Sequence, residues 1–293
     1  MHPSALVFKA ASLSPRFTAS AMKLVASHLP FSWVVNGIAT RHNLRIPVRT
    51  KLNNGMTVWV LLADEVGEAI RRRGCNELET VKIVMSHLSK EAIFFDLGAH
   101  IGQYTLVASP LCRAVHSFEA VPETFDLLRR NVQVNGLANV FANPCAVSDS
   151  CGEVTIFEGD LSSIDRSSLR APPCCSGKSF VVPSTSLDAY VTKHQAAPDL
   201  IKIDVEGAEI AVLRGASNLL RERHPTLIVE IDEVNQRRFG FTADGLLQEL
   251  KGFGYSLSRI ENEPGLELSF FNVLAIAPPD RDRGANKGAR TTS

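Results

Sequence analysis

The chain has 293 residues, 45% of them apolar and 21% charged, values that support a sizeable core and exclude a mainly disordered protein. Its 31 basic and 31 acidic residues balance to zero, which argues against a dedicated nucleic-acid binder. No apolar run approaches the ~18 residues of a membrane-spanning helix, and Ala5–Phe8, cut by Lys9, is too short for a signal-peptide core.

The even charge hides an asymmetry. Residues 1–63 carry seven basic groups (Lys9, Arg16, Lys23, Arg41, Arg45, Arg49, Lys51) and no acid, so the rest of the chain is net acidic. Such an arm suits a membrane surface, an acidic substrate, the protein's own acidic body or plain solvent, and its Ser-rich, acid-poor composition also has a transit-peptide flavour. Met22, Val25 and Leu29 fit one short helix there. Ile46–Val48 and Met56–Leu62 read as a hairpin turned by Asn53-Asn54-Gly55. Asn76 and Glu79 resemble a capping box for a helix with Leu78, Val81, Val84, Met85 and Leu88 inward.

From Ile93 onward strands and helices alternate. Ile93–Phe95, Val115–Phe118, residues 139–147, Leu200–Ile203 and Leu227–Ile231 read as strands, with helices after Gly102, over 122–135, near 207–214 and near 242–251. Val154–Phe157 and segments near 255–260 and 269–277 add further strands, and residues 159–180 read as loop. This alternation predicts an α/β fold, a doubly wound, mostly parallel, seven-stranded Rossmann-like sheet with helices on both faces and a small N-terminal helix/hairpin extension. The expected division is a basic arm over 1–40, hairpin and helix over 41–91, a ligand-binding domain over 92–277 and a disordered tail over 278–293. Six cysteines without C-x-x-C spacing, including adjacent Cys174 and Cys175 in a loop-like stretch, fit a reducing, cytoplasmic setting.

Ligands of such sheets bind beyond the carboxyl ends of the strands, so the residues there are the candidates. The first strand runs into Asp96-Leu97-Gly98-Ala99-His100-Ile101-Gly102. A dinucleotide fingerprint is absent. A carboxylate ahead of glycines suits a ligand with an ammonium group, while Gly98 and Gly102 permit close backbone approach and the helix N-terminus can receive a carboxylate. Glu119, after the second strand, is placed to accept from a ribose diol, and Asp149, after the third, from an adenine amino group. Amino acid, ribose and adenine in that order describe S-adenosylmethionine. Beyond the fourth and fifth strands lie Asp204, Glu206, Glu230 and Asp232. If each strand continues, both pairs alternate and point the same way, so the four converge, either to hold Mg²⁺ or to supply a base. Glu209 reads as a helix cap, and His116, His194 and His224 as structural or exposed.

The segments Phe95–Thr105, Phe118–Glu123, Leu127–Asn131 with Asn135-Gly136, Ser186–Asp188 and Leu200–Glu209, running on into Val212–Ala216, resemble the FkbM family of methyltransferases over roughly residues 75–277. The resemblance implies cofactor binding by Asp96, Gly98, Ala99, His100, Gly102 and Glu119, and O-methylation of a hydroxyl on a small molecule, natural product or glycan. His100 stands where the family usually has Asn, and Ala120 where it has Pro. The histidine either alters the fit of the methionine end or is a tolerated substitution facing solvent or the loop backbone. Neither change removes an acid or a glycine, so cofactor binding is expected to survive. The alternative is a catalytically inactive protein of the same fold, whose mark would be a blocked acceptor pocket.

Overall fold

The computed structural model describes residues 45–278, apart from residue 63 and residues 160–166, 171–174 and 262–269. The helix expected around Met22–Leu29, the arm over 1–40, Cys174 and the tail beyond 278 lie outside the described residues.

Three sheets organise the chain. Strands β1 (Pro47–Lys51) and β2 (Thr57–Leu61) form the antiparallel N-terminal hairpin. The central sheet contains β3 (Ile93–Leu97), β4 (Ala114–Phe118), β5 (Val140–Asn143), β9 (Leu200–Ile203), β10 (Thr226–Asp232), β11 (Ser256–Ile260) and β12 (Phe270–Ile276). Its seven strands run in the order β11-β12-β10-β9-β3-β4-β5, with β12 antiparallel to both neighbours and the other pairs parallel. The order reverses between β3 and β9, the place where an open α/β sheet leaves a crevice. A third sheet joins β6 (Ala146–Val147), β7 (Gly152–Gly159) and β8 (Cys175–Thr185) in the order β6-β8-β7; part of β8 falls where the sequence reads as loop.

The helices are α1 (Glu65–Arg73), α2 (Leu78–Ser86), α3 (Gln103–Ala108), α4 (Pro122–Val134), α5 (Leu187–His194), α6 (Glu209–Gly215), α7 (Ser217–Glu222), α8 (Glu233–Arg238) and α9 (Ala243–Gly252). They cover both faces of the sheet, as the apolar run of β3 requires. Phe95 and Leu97 pack on one face with Tyr190, Leu213 and Leu246, while Phe94 packs on the other with Val84 and Ala108. No helix among the described residues is long and apolar enough to cross a membrane.

Two local expectations change. The capping box at Asn76 does not form: α2 opens on Glu77 in a left-handed conformation, φ 47°, with no side-chain cap. Asn76 instead pairs by its backbone with the Gln103 side chain, at 2.6 and 3.0 Å. The sequence pattern also passes over α1, whose apolar face is short, although Asp64 caps it by accepting from the Gly67 amide at 2.7 Å.

Two buried or half-buried amides weld the hairpin to α4. Asn131, fully buried on α4, accepts from the Trp59 amide (2.7 Å) and donates to Trp59 O (3.0 Å) and Ile101 O (2.8 Å). Asn135 pairs in the same way with Thr57, at 2.9 and 2.7 Å. Each satisfies an edge-strand backbone that would otherwise stay unpaired. Arg45, from the basic N-terminal stretch, turns inward onto fully buried Glu158 (2.7 Å) and onto Glu123 (2.5 Å), so this cation serves the protein's own acidic body. Asn131→Ala removes three hydrogen bonds at once. It is expected to cost about 3 kcal/mol, read from denaturant midpoints at constant slope; a loss below about 1 kcal/mol would mean water replaces the amide without penalty.

Candidate active site

The strand ends at the order reversal build one cavity of about 530 Å³. On its first wall, β3 turns sharply at Gly98, φ 77°. The Gly98 and Ala99 amides donate to Phe118 O at 3.0 and 2.9 Å, and the His100 amide donates to Glu119 Oε2 at 2.9 Å. Glu119 Oε1 accepts from the Val121 amide at 2.7 Å. Each oxygen of this buried carboxylate therefore holds one backbone donor and keeps lone-pair capacity for another. Burial raises the Glu119 pKa, against the pull of His100 and the two amides. Asp96, also buried, accepts from Thr105 Oγ1 at 2.6 Å. Burial pushes its pKa up to about 6, opposed by Thr105 and by the positive charge of Lys202.

The glycines serve a different purpose from the one expected. A Cβ on Gly98 would lie 1.7 Å from the Asp204 carbonyl oxygen, and one on Gly102 would lie 2.6 Å from Leu128 Cδ1. Both let parts of the protein approach each other, and the first three amides of the turn are spent on Phe118 and Glu119. Asp149 is a second correction. It is exposed, lies outside the cavity lining, and accepts from Ser150 Oγ at 2.9 Å. The reason is that the backbone at 148–149 packs on Gly215, where a Cβ would meet Ser148 O at 2.1 Å. Past Glu119 the cavity is bounded instead by apolar Ala146, Val147 and Ile156.

The opposite wall holds the acids. Asp204, Glu206 and Glu230 bring one carboxylate oxygen each within 4.8 Å of one another. They do so for a reason other than strand alternation: β9 ends at Ile203, and Glu206 sits in a left-handed turn, φ 54°. Asn235 Nδ2 donates to Glu206 Oε2, and Ser168 Oγ donates to Glu206 O at 2.6 Å. Asp232 lines the cavity but caps α8, accepting from the Val234 and Asn235 amides at 2.8 and 3.0 Å. Glu209 lies off the cavity and ties down the turn, accepting from the Val205 and Gly207 amides (3.2 and 3.1 Å) and from Gln236 Nε2. Burial carries its pKa to about 7. Among the histidines, buried His116 pairs with the Tyr190 hydroxyl at 2.8 Å, and burial lowers its pKa to about 4, a structural role.

Sequence reasoning missed two charged residues. Lys202 is fully buried inside β9 with its Nζ 3.0 Å from Asp204 Oδ2. Burial lowers its pKa, but Asp204, Glu230 and Glu77 outweigh that and raise it overall, so it stays an ammonium. The signal was present: a lysine between Ile201 and Ile203 in a strand buried on both faces must have a partner. Glu77 reaches the cavity from the α1–α2 junction; its Oε2 accepts from the Tyr104 hydroxyl at 2.6 Å and from Asn272 Nδ2 at 3.1 Å. Nothing local in the sequence marks it. His100 also lines the cavity, at φ 50°, and its Nε2 is a buried atom without a hydrogen-bond partner among the described residues.

The model of the methyltransferase FkbM domain matches residues 96–257. Relatives include the hexuronic acid methyltransferase AglP of Haloferax volcanii, 25% identical over 156 residues, which are 53% of this chain and 62% of that protein. The 31-O-demethyl-FK506 methyltransferase FkbM of Streptomyces tacrolimicus is 26% identical over 246 residues, 71% of this chain and 88% of that protein. The match to the Haloferax protein thus spans less than two thirds of its length. Among solved structures, a methyltransferase FkbM from Methylobacillus flagellatus is 17% identical, with a TM-score of 0.45 over 64% of this chain and 44% of that one.

The Gly98 contact generates a test of the site's framework. Gly98→Ala adds a left-handed backbone penalty of roughly 1 kcal/mol to a collision with the Asp204 carbonyl. Its total cost is expected to exceed that penalty clearly in chemical denaturation, and a cost of about 1 kcal/mol or less would show that β3 and β9 can part without loss.

Proposed function

The chain belongs to the FkbM methyltransferase family, and we propose that it transfers a methyl group from S-adenosylmethionine to a hydroxyl of a small molecule, natural product or glycan. The observation that carries this reading is the single cavity that joins the Gly98–His100 turn and Glu119 to Asp204 and Glu230. An open cavity with acids at its far wall also favours an enzyme over an inactive protein of the same fold. The free thiols of Cys75, Cys112, Cys145 and Cys151 suit a reducing cytoplasm, and we take residues 92–277 as the methyltransferase unit.

The residues present fit the cofactor. Glu119 has lone-pair capacity on both oxygens for a diol, Asp96 offers a carboxyl to an ammonium, and His100 Nε2 is a buried polar atom that lacks a partner among the described residues. Val147 and Ile156 offer an apolar slot for a base where Asp149 does not reach. When bound, S-adenosylmethionine supplies an electrophilic methyl on a sulfonium. The protein must align an acceptor oxygen with that methyl, exclude water and take a proton. Asp204 is suited to taking the proton, because its side chain is 24% exposed and its Oδ2 is held 3.0 Å from the Lys202 ammonium. Glu230 suits that role less, because burial, Asp204 and Glu206 push its pKa well up. Glu206 is held by Asn235 and shapes the wall. Mg²⁺ fits less well than a base, since an Asp204 oxygen already faces Lys202 and a Glu206 oxygen faces the Asn235 amide.

Two variants separate binding from chemistry. Glu119→Ala is expected to weaken S-adenosylmethionine binding in titration calorimetry by tenfold or more, through two lost charge-assisted hydrogen bonds at roughly 1.5–3 kcal/mol each; unchanged affinity would remove Glu119 from the site. Asp204→Asn keeps the shape and removes the base. Its kcat, followed as S-adenosylhomocysteine release across a hydroxyl-acceptor library, is expected to fall about 10²-fold or more with cofactor affinity held within a few-fold. Parental turnover in this variant would make Asp204 a structural residue, and loss of parental activity in chelator would reinstate the metal.

A further inference from the structure

The two carboxylate oxygens of Asp204 meet different surroundings. Oδ2 accepts from the Lys202 ammonium at 3.0 Å. No protein donor among the described residues reaches Oδ1, and the side chain, 24% exposed, lines the cavity. The Asp204 backbone is also held, its amide donating to Leu97 O at 3.0 Å. The terminal torsion of a free aspartate is broad. An anchor on one oxygen of the planar carboxylate narrows that torsion and so aims the other oxygen.

The anchor itself stands behind the wall. Lys202 is fully buried and is not among the residues that line the cavity, so it can act on a ligand there only through a neighbour. Its register partner on β3 is Asp96, but that carboxyl is held by Thr105 Oγ1 at 2.6 Å, and the ion pair of Lys202 among the described residues is with Asp204. The ring of Tyr104 braces it from the side, with Nζ 5.6 Å from the ring centroid, and the Tyr104 hydroxyl is tied in turn to Glu77 at 2.6 Å. Replacing a buried ion pair by apolar side chains is often neutral or stabilising. Stability of the sheet therefore gives little reason for an ammonium between Ile201 and Ile203, and the reason is to be sought in what Asp204 does.

We propose that Lys202 is a positioning residue for methyl transfer, holding Asp204 Oδ2 so that Oδ1 meets the acceptor hydroxyl. The proposal rests on the reading of Asp204 as the base given above. In the step so aided, the acceptor oxygen bonds the methyl carbon and the carbon–sulfur pair stays on sulfur as a neutral thioether. The hydroxyl proton passes to Asp204 Oδ1. Acceptor, base and orienting group then stand in the relation by which weak oxygen nucleophiles are activated, with the base aimed by a third group. Aim matters because misplacing a reacting group by about 1 Å can cost 10²-fold in rate.

The test is a double-mutant cycle in the full chain, with Lys202→Met, Asp204→Asn and the two combined, and with Lys202→Gln as a second lysine variant. S-adenosylmethionine affinity is read by titration calorimetry, and turnover as S-adenosylhomocysteine release with a panel of simple alcohols, phenols and sugars. Lys202→Met is expected to lower kcat about tenfold or more while acceptor KM and cofactor affinity stay within about threefold. Lys202→Gln, which keeps a donor, should fall between it and the parent. In the Asp204→Asn background the same Lys202→Met change should lower kcat by less than about threefold, because the group it aims is gone. Parental kcat in Lys202→Met, or an undiminished loss in the Asp204→Asn background, would show that Lys202 does not act through Asp204. Loss of cofactor binding in both lysine variants would make Lys202 a part of the scaffold and overturn the positioning role. A parent that binds no S-adenosylmethionine, or that methylates nothing in the panel, would instead overturn the reading of the site beneath this proposal, and the proposal with it.

Discussion

The site depends on one contact, the approach of Gly98 to the backbone of Asp204. The Asp204 amide donates to Leu97 O at 3.0 Å, and the next carbonyl stands where a Gly98 side chain would begin. Strands β3 and β9 are neighbours across the order reversal, so this contact fuses the turn that leads to Glu119 with the turn that carries Asp204 and Glu206. The two turns cannot move independently. Fixed distance between a cofactor's reactive atom and an acceptor's base is what a displacement reaction needs from its protein. Surrounding residues hold the fused unit: Glu209 pins the acid turn from below through three donors, and Asn131 fastens Ile101, beyond the first turn, to α4 and the hairpin.

The electrostatics of the wall follow from the same geometry. Placing Lys202 in the middle of β9 costs desolvation, and only the acids beyond the strand end make it tolerable. Those acids in turn crowd together, with one oxygen each of Asp204, Glu206 and Glu230 within 4.8 Å of the others. Backbone strain collects at the same place: Glu77, His100 and Glu206 all have positive φ without being glycine, and all three line the cavity. Left-handed backbone costs such residues about 1–2 kcal/mol each. The surrounding packing over-determines these conformations, so the cavity's polar groups are held ready and need little rearrangement when a ligand arrives.

Much of this was legible in the sequence, and the parts that were not share a cause. Apolar runs such as Ile93–Phe95 and Leu200–Ile203 gave strands because burial on both faces leaves no other pattern. The acids after them were found because ligand sites on this architecture lie at strand ends. Roles were harder than positions. Gly98 and Gly102 looked like ligand-facing glycines, yet the atoms they must avoid belong to Asp204 and Leu128, more than 25 residues away in sequence. Asp149 looked like a strand-end acid, but where its backbone packs is decided by Gly215. Glu206 reached the expected place by a left-handed turn that periodicity cannot foresee. Glu77 was invisible because its partners, Tyr104 and Asn272, come from α3 and β12.

That last case bears on how the family varies. The segment shared with the FkbM methyltransferase domain begins at residue 96 and ends at 257. Glu65, Val66, Asn76 and Glu77 precede it and Phe270 follows it, yet all five line the cavity. The shared segment supplies the β3 turn, Glu119, the acids just beyond β9 and the acids of β10, the parts to which the proposed reading assigns the cofactor and the reaction. Walls contributed from outside it are free to differ without disturbing those parts. The relatives are named for unlike acceptors, a hexuronic acid and a demethylated FK506, which is the difference such a division of labour permits. On the proposed reading, the acceptor of this protein is to be sought against the part of the cavity wall that Glu77 and Phe270 line.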